Sequence, residues 1–171
     1  MIKVGTCGYG YYNPGKKWKG KYKSKLQAYS YAFPVCEINK TFYGLPMTKT
    51  MHRWREEVNQ DFEFTLKAWQ AVTHPTNSPT WRKRKQKLTE KQQKNFGNLS
   101  PNPEVIDAWN QTKERAQALQ APICVLQTAG KFNCTEENEQ NMRQFLEQID
   151  RSGLEIAWEP RGDWNQNLEK V

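Results

Sequence analysis

Five short apolar runs, at 2–6, 35–39, 62–67, 123–127 and 154–159, recur along the 171-residue chain, and each closes on a polar residue. Strand side chains alternate between two faces. In the third run Phe62, Phe64 and Leu66 share one face and Glu63, Thr65 and Lys67 the other. In the fifth, Leu154, Ile156 and Trp158 oppose Glu155, Ala157 and Glu159, and in the second, Val35, Glu37 and Asn39 oppose Cys36 and Ile38. Between the runs lie helical signals. A helix is expected over 24–33, stopped by Pro34. Met47, Met51, Trp54 and Val58 then form an apolar stripe. Asn102-Pro103-Glu104 opens a helix to about 120, and Thr135 caps another that bears Met142, Phe145 and Ile149 and ends near Gly153. Strand–helix alternation of this kind favours a parallel sheet. A sheet covered by helices on both faces should be apolar on both, whereas one face here ends in charge. The expected fold is α/β: a parallel (β/α) barrel of the TIM type, helices outside and a polar mouth inside, as a single domain over 1–171.

Composition narrows the class. With 36% hydrophobic residues, seven Trp and a mean hydropathy of −0.97, the chain is polar yet has enough aromatic surface for a core. It has no run of about 18 apolar residues, so a membrane span is not expected, and a cytoplasmic protein is the plain reading. The cysteines Cys7, Cys36, Cys124 and Cys134 form no CxxC pair. Cys36 and Cys124 read as buried thiols. Residues 1–25 carry seven Lys and no acid, and residues 82–94 carry seven Lys or Arg against Glu90 alone. Two such segments suggest anionic partners, single-stranded nucleic acid among them. The second belongs to a long stretch at about 70–102, rich in proline and without apolar period, which reads as a basic insertion with no regular structure.

In a parallel sheet the carboxyl ends of the strands share one rim. That rim should gather Thr6, Glu37, Asn39, Lys67, Gln127, Glu159 and Arg161. Two carboxylates and two cations there could hold a metal, bind an anion or exchange a proton; a plain ion-pair network, Glu37–Lys67 and Glu159–Arg161, is the structural alternative. His74 follows the third strand and could act there as acid or base, while His52 reads as a surface residue. The first loop, with Tyr9, Tyr11, Tyr12, Trp18, Tyr22 and interleaved lysines, is expected at the same rim, offering rings to stack on and cations for phosphate.

Gly5-Thr6-Cys7-Gly8-Tyr9, Trp18-Lys19-Gly20, Glu37-Ile38-Asn39-Lys40-Thr41-Phe42-Tyr43, Lys67-Ala68 with Thr73-His74, Leu126-Gln127 and Glu159-Pro160-Arg161 through Trp164 together resemble the YecE-like family, domain of unknown function 72. The resemblance runs along essentially the whole chain. It implies a TIM-type barrel with Glu37, Asn39, Tyr43, Lys67, His74, Gln127, Glu159 and Arg161 at the mouth. Cys7 stands where the family usually has Ser, and Tyr9 where it usually has Trp. Family members have a full barrel, whereas five strands are visible here. Either the chain is a fragment whose missing carboxyl-terminal segment carries the rest, or a partner chain completes the barrel; a fragment is expected.

The leading functional expectation is metal-assisted phosphoester hydrolysis of an anionic, phosphate-bearing substrate such as nucleic acid. Glu37 and Glu159 would hold Mg²⁺ or Mn²⁺, His74 would serve as acid or base, and Lys67 and Arg161 would stabilise developing charge. Thr6, Tyr9, Trp18, Asn39, Tyr43, Gln127 and Trp164 would contact substrate. The alternatives are a non-catalytic nucleic-acid-binding module, and a lyase or isomerase acting on a small sugar or acid with Lys67 as nucleophile or base.

Overall fold

The computed structural model describes residues 2–83, 87–167 and 169. Its centre is a five-stranded parallel sheet in chain order: β1 (Gly5–Cys7), β2 (Val35–Ile38), β3 (Glu63–Lys67), β4 (Ile123–Gln127) and β5 (Glu155–Glu159). Helices flank it, so the fold is α/β. The register sets Cys7 beside Glu37, Glu37 beside Thr65, Lys67 beside Val125 and Gln127 beside Glu159. The expected alternation of faces is present. Cys36, Ile38, Phe64, Leu66, Cys124 and Leu126 are buried in the core, and Glu37, Thr65, Lys67, Val125 and Gln127 alternate with them, half-buried on the other face. Burial pushes the Cys36 thiol up to about 11 and raises Cys124 as well, so both are unreactive packing groups.

Several elements differ from expectation at their ends. The first strand is only Gly5–Cys7, and Ile2 and Val4 stand exposed before it. Helix α1 (Lys25–Ser30) is capped by Ser24, whose hydroxyl accepts from the Gln27 N–H, and it ends because Ala32 and Phe33 both turn back onto the Tyr29 carbonyl. The run Lys40–Tyr43 after β2 winds into a short helix, α2. In α3 (Thr48–Glu56), Met51 and Trp54 are buried, but Met47 lies before the first turn and is exposed. Helix α6 (Pro103–Leu119) is as the sequence foretold, with the Asn102 side chain accepting from the Val105 N–H. Helix α7 (Glu136–Gln148) stops short of Gly153, where Asp150 accepts from the Ser152 N–H and turns the chain.

The correction that matters most concerns 70–102, whose described residues are folded and not an irregular insertion. It holds α4 (Gln70–Thr73), a 3-10 turn (Pro79–Lys83) and α5 (Glu90–Asn95), the last with a complete capping box between Thr89 and Gln92. Its apolar residues lack a period because they converge from separate turns: Trp81 stacks on Phe96, Trp69 meets Phe96 edge-on, and Leu88 and Leu99 are buried beside them. Residues 84–86 of the basic run lie outside the described residues. After α5 the chain straps back over α4, with the N–H groups of Gly97, Asn98 and Leu99 donating to the carbonyls of Ala71, Thr73 and Val72.

Gly97 makes that strap possible. Its φ of 97° is in the left-handed region, and a Cβ there would lie 2.2 Å from the Pro75 nitrogen. Both conditions exclude a side chain. Gly97→Ala is therefore expected to destabilise the fold by at least about 3 kcal/mol, read from urea midpoints; an unchanged midpoint would show that the strap is dispensable.

Candidate active site

Lys67, the last residue of β3, reaches across the half-buried face to two carboxylates. Its Nζ lies 3.3 Å from Glu159 Oε2 and 4.0 Å from Glu37 Oε1, and its side chain is only 14% exposed. Glu159 also accepts a 2.6 Å hydrogen bond from the Gln127 amide and one from the Arg161 guanidinium. Burial, the largest single effect on Glu159, pushes its pKa up. The Gln127 amide, Lys67 and Arg161 together outweigh it, so the carboxyl is held below its usual range. Glu37 is less satisfied: its Oε1 is buried with no hydrogen-bond partner, and so is Asn39 Oδ1 beside it. Asn39 is fixed by its amide, which donates to the Cys7 carbonyl. Two anions and two cations thus meet at the carboxyl ends of β2 to β5, and two buried oxygens there, Glu37 Oε1 and Asn39 Oδ1, make no hydrogen bond.

Neighbouring elements hold this rim in place. The Thr41 hydroxyl of α2 lies 2.7 Å from the Ile38 carbonyl and 2.6 Å from that of Lys67, tying the ends of β2 and β3. Phe42 packs edge-on against the His74 ring, and Tyr43, partly exposed, packs against Phe42. On the β4–β5 side, Thr128 accepts from the Arg161 N–H and is itself buried.

Other expected site residues lie elsewhere. Thr6 pairs with Cys36 in register and so points to the helix side, where its N–H donates to the Tyr29 hydroxyl; the residue of β1 that faces the rim is Cys7. Tyr9 packs edge-on against Trp54 of α3, also on the helix side. Trp164 is buried, stacked on Phe132 with its indole N–H donating to the Phe132 carbonyl, so it supports the rim from below and offers no open ring. Trp18 lines a hollow of its own loop, and Tyr22 packs on Tyr31, which flanks Pro34 and Phe62 at the amino ends of β2 and β3. The basic first loop thus runs away from the rim it was expected to cover. His52 lies exposed on α3, as read. Cys7, Thr41 and Thr128 are not among the expected rim residues; the place of Cys7 after the first strand is a signal for it, but nothing in the local sequence marks the two threonines.

The fit of a metal can be judged from the donors. Glu37 and Glu159 share Lys67, whose ammonium lies where a cation bridging them would sit. No group of three or more His, Cys, Asp or Glu among the described residues is arranged to hold a metal ion. Glu37 and Glu159 are the two carboxylates the described residues bring to this place, with the Lys67 ammonium between them.

The model of the family described as a protein of unknown function, DUF72, matches residues 3–168. The chain belongs to that family. Among curated proteins it is 34% identical over 73 residues to the UPF0759 protein YunF of Bacillus subtilis, covering 43% of this chain and 26% of that one. It is 34% identical over 58 residues to the UPF0759 protein YecE of Escherichia coli K12, covering 34% and 21%. Two solved DUF72 family structures share the fold. One, from Enterococcus faecalis V583, has a TM-score of 0.61 at 19% identity over 99% of this chain and 57% of its own. The other, from Thermotoga maritima MSB8, has a TM-score of 0.56 at 20% identity over 93% and 55%. The chain spans about half the length of these solved relatives. Among the described residues no helix is long and apolar enough to cross a membrane.

His74 yields a prediction about pH. Its ring is 7% exposed, with Nδ1 2.9 Å from the Thr73 hydroxyl. Burial, helped by the Lys67 charge, lowers its pKa to about 4. Unfolding returns it to the ordinary histidine value near 6.5. Between those values the unfolded chain takes up a proton that the folded one refuses. The resulting stability, about 3 kcal/mol, is complete above pH 6.5 and lost as the pH falls through 4. Denaturant titrations at pH 7 and pH 4 should show His74→Gln losing less stability than the parent by about that amount; equal losses would contradict a buried neutral imidazole.

Proposed function

We propose that this DUF72 protein is an acid–base enzyme acting at the carboxyl rim on a small anionic substrate rich in hydroxyl groups, of the sugar-phosphate or sugar-acid kind. One observation carries the reading: Lys67 bridges Glu37 and Glu159, while Glu37 Oε1, 4.0 Å from the ammonium, and Asn39 Oδ1 are buried without a hydrogen bond. Buried acceptors without partners are costly, and a bound hydroxyl would satisfy them. Lys67 and Arg161 supply the positive field for an anionic group or a developing oxyanion. Glu37 is the proton acceptor, its Oε1 making no hydrogen bond. Glu159, held ionised by three donors, positions Lys67. Carboxylates are the nearest charged neighbours of Lys67, the setting of a stabilising cation more than of an amine nucleophile. His74 stays uncharged nearby and can relay a proton.

The same reading takes the sheet as part of a TIM-type (β/α) barrel. Its sequential parallel order, with one face buried and the other polar, supports this, and such barrels keep their chemistry at the carboxyl ends of the strands. Metal-assisted hydrolysis has less support, because it needs a divalent ion where Lys67 lies. A nucleic-acid module is also less supported, since the first loop's rings and lysines do not share a surface with the rim. The isomerase or lyase alternative fits best.

Calorimetric titration in the presence of chelator tests this with ribose 5-phosphate, glucose 6-phosphate, gluconate and inorganic phosphate. At least one hydroxylated anion should bind more tightly than phosphate alone, and Glu37→Gln should weaken it roughly tenfold or more, the loss of a charge-assisted hydrogen bond. Binding that ignores Glu37→Gln, or activity confined to Mg²⁺- or Mn²⁺-dependent cleavage of nucleic acid, would overturn the proposal.

A further inference from the structure

A cavity of about 470 Å³ opens beside the rim, between the segment after β3 and the loop after β4. His74 and the loop after β4 link it to the charged cluster. His74 forms one wall, close enough to Lys67 to feel its charge, and Phe42 of α2 braces the same ring. The opposite wall, Ala129 to Lys131, begins two residues after Gln127 and directly after Thr128, which receives the Arg161 N–H.

The lining is unlike the rim. Pro75, Pro79, Ala129 and Gly130 give it flat apolar surfaces. Asn77 and Asn98 add amides, and Thr80 adds a hydroxyl whose oxygen is buried without a partner. The imidazole of His74 is uncharged at neutral pH and has its Nδ1 engaged by Thr73, so Nε2 is its remaining hydrogen-bonding atom. Among the described residues that line it, Lys131 is the charged one, and it is exposed. A polyol in this space would leave the apolar walls uncovered, and a hydrocarbon would leave the amides and the hydroxyl unpaired. A flat heterocycle with polar edges meets both demands, by stacking on the walls and pairing along its edge.

We infer that the cavity is a subsite for a nucleobase, and that the substrate of the rim is a nucleoside monophosphate. The inference rests on the rim reading above and extends it. The sugar hydroxyls would lie toward Glu37 and Asn39, and the phosphate among Lys67, Arg161 and Lys131.

Titration of the four ribonucleoside monophosphates, adenosine and ribose 5-phosphate tests the subsite. The variant is Gly130→Phe, because a Cβ at 130 meets no atom within 4 Å and the ring has only the cavity and solvent to fill. Thermal unfolding checks that the variant is folded. At least one nucleotide should bind ten or more times as tightly as ribose 5-phosphate, and Gly130→Phe should bring that ratio to about one. Nucleotides and ribose 5-phosphate binding equally well, or a ratio unmoved by Gly130→Phe, would overturn the subsite and leave the rim reading standing. Adenosine binding as tightly as its monophosphate, with Gly130→Phe abolishing both, would keep the subsite and overturn the anionic rim. No binding by any of them would overturn the subsite, and the rim reading too only where glucose 6-phosphate and gluconate also fail to bind.

Discussion

Lys67 holds the carboxyl ends of β2, β3 and β5 in one electrostatic unit. A lysine at a strand end inside a largely buried site is costly to desolvate, and its contacts must repay that cost. Glu159 does so at 3.3 Å and Glu37 only partly at 4.0 Å. This asymmetry is the informative part. Glu159 is saturated by Gln127, Lys67 and Arg161, whereas Glu37 keeps a buried oxygen without a donor. The less satisfied carboxylate, Glu37, is the one the proposed function assigns to a substrate donor.

The rest of the molecule can be read as support for that unit. Thr41 clamps the ends of β2 and β3, Thr128 steadies the turn after β5 through Arg161, and Trp164 fills the space beneath it by stacking on Phe132. The segment 70–102 forms the His74 wall, its aromatic cluster locking α4 and the strap from Gly97 to Leu99 against the sheet. The site is therefore built from strand ends, which are rigid, and walled by a segment whose sequence is less regular.

What the sequence made legible follows from period. Strands whose faces alternate strictly, such as 62–67, were recoverable because burial on one face forces the pattern. Glu37, Lys67, Gln127 and Glu159 could be grouped for the same reason, since a parallel sheet brings like ends together. Thr6 failed by one residue: β1 has three residues and little alternation to fix its phase, and the residue that faces the rim is Cys7. Trp164 was misjudged because a tryptophan after a strand end can serve as lid or as core, and only tertiary packing decides. The insertion was misread because Trp69, Trp81, Leu88, Phe96 and Leu99 meet in space without periodic spacing in sequence. The first loop, rich in Lys and Tyr, announced its chemistry but not its direction.

The central claim is that the Lys67 ammonium and the rim carboxylates act as one coupled unit, and a double-mutant cycle on Lys67→Met and Glu159→Gln, read by denaturant unfolding at neutral pH, tests it most directly. The account predicts a coupling of at least about 1 kcal/mol, with the double variant more stable than the sum of the single losses implies. Single losses that add to within about 0.5 kcal/mol would contradict it.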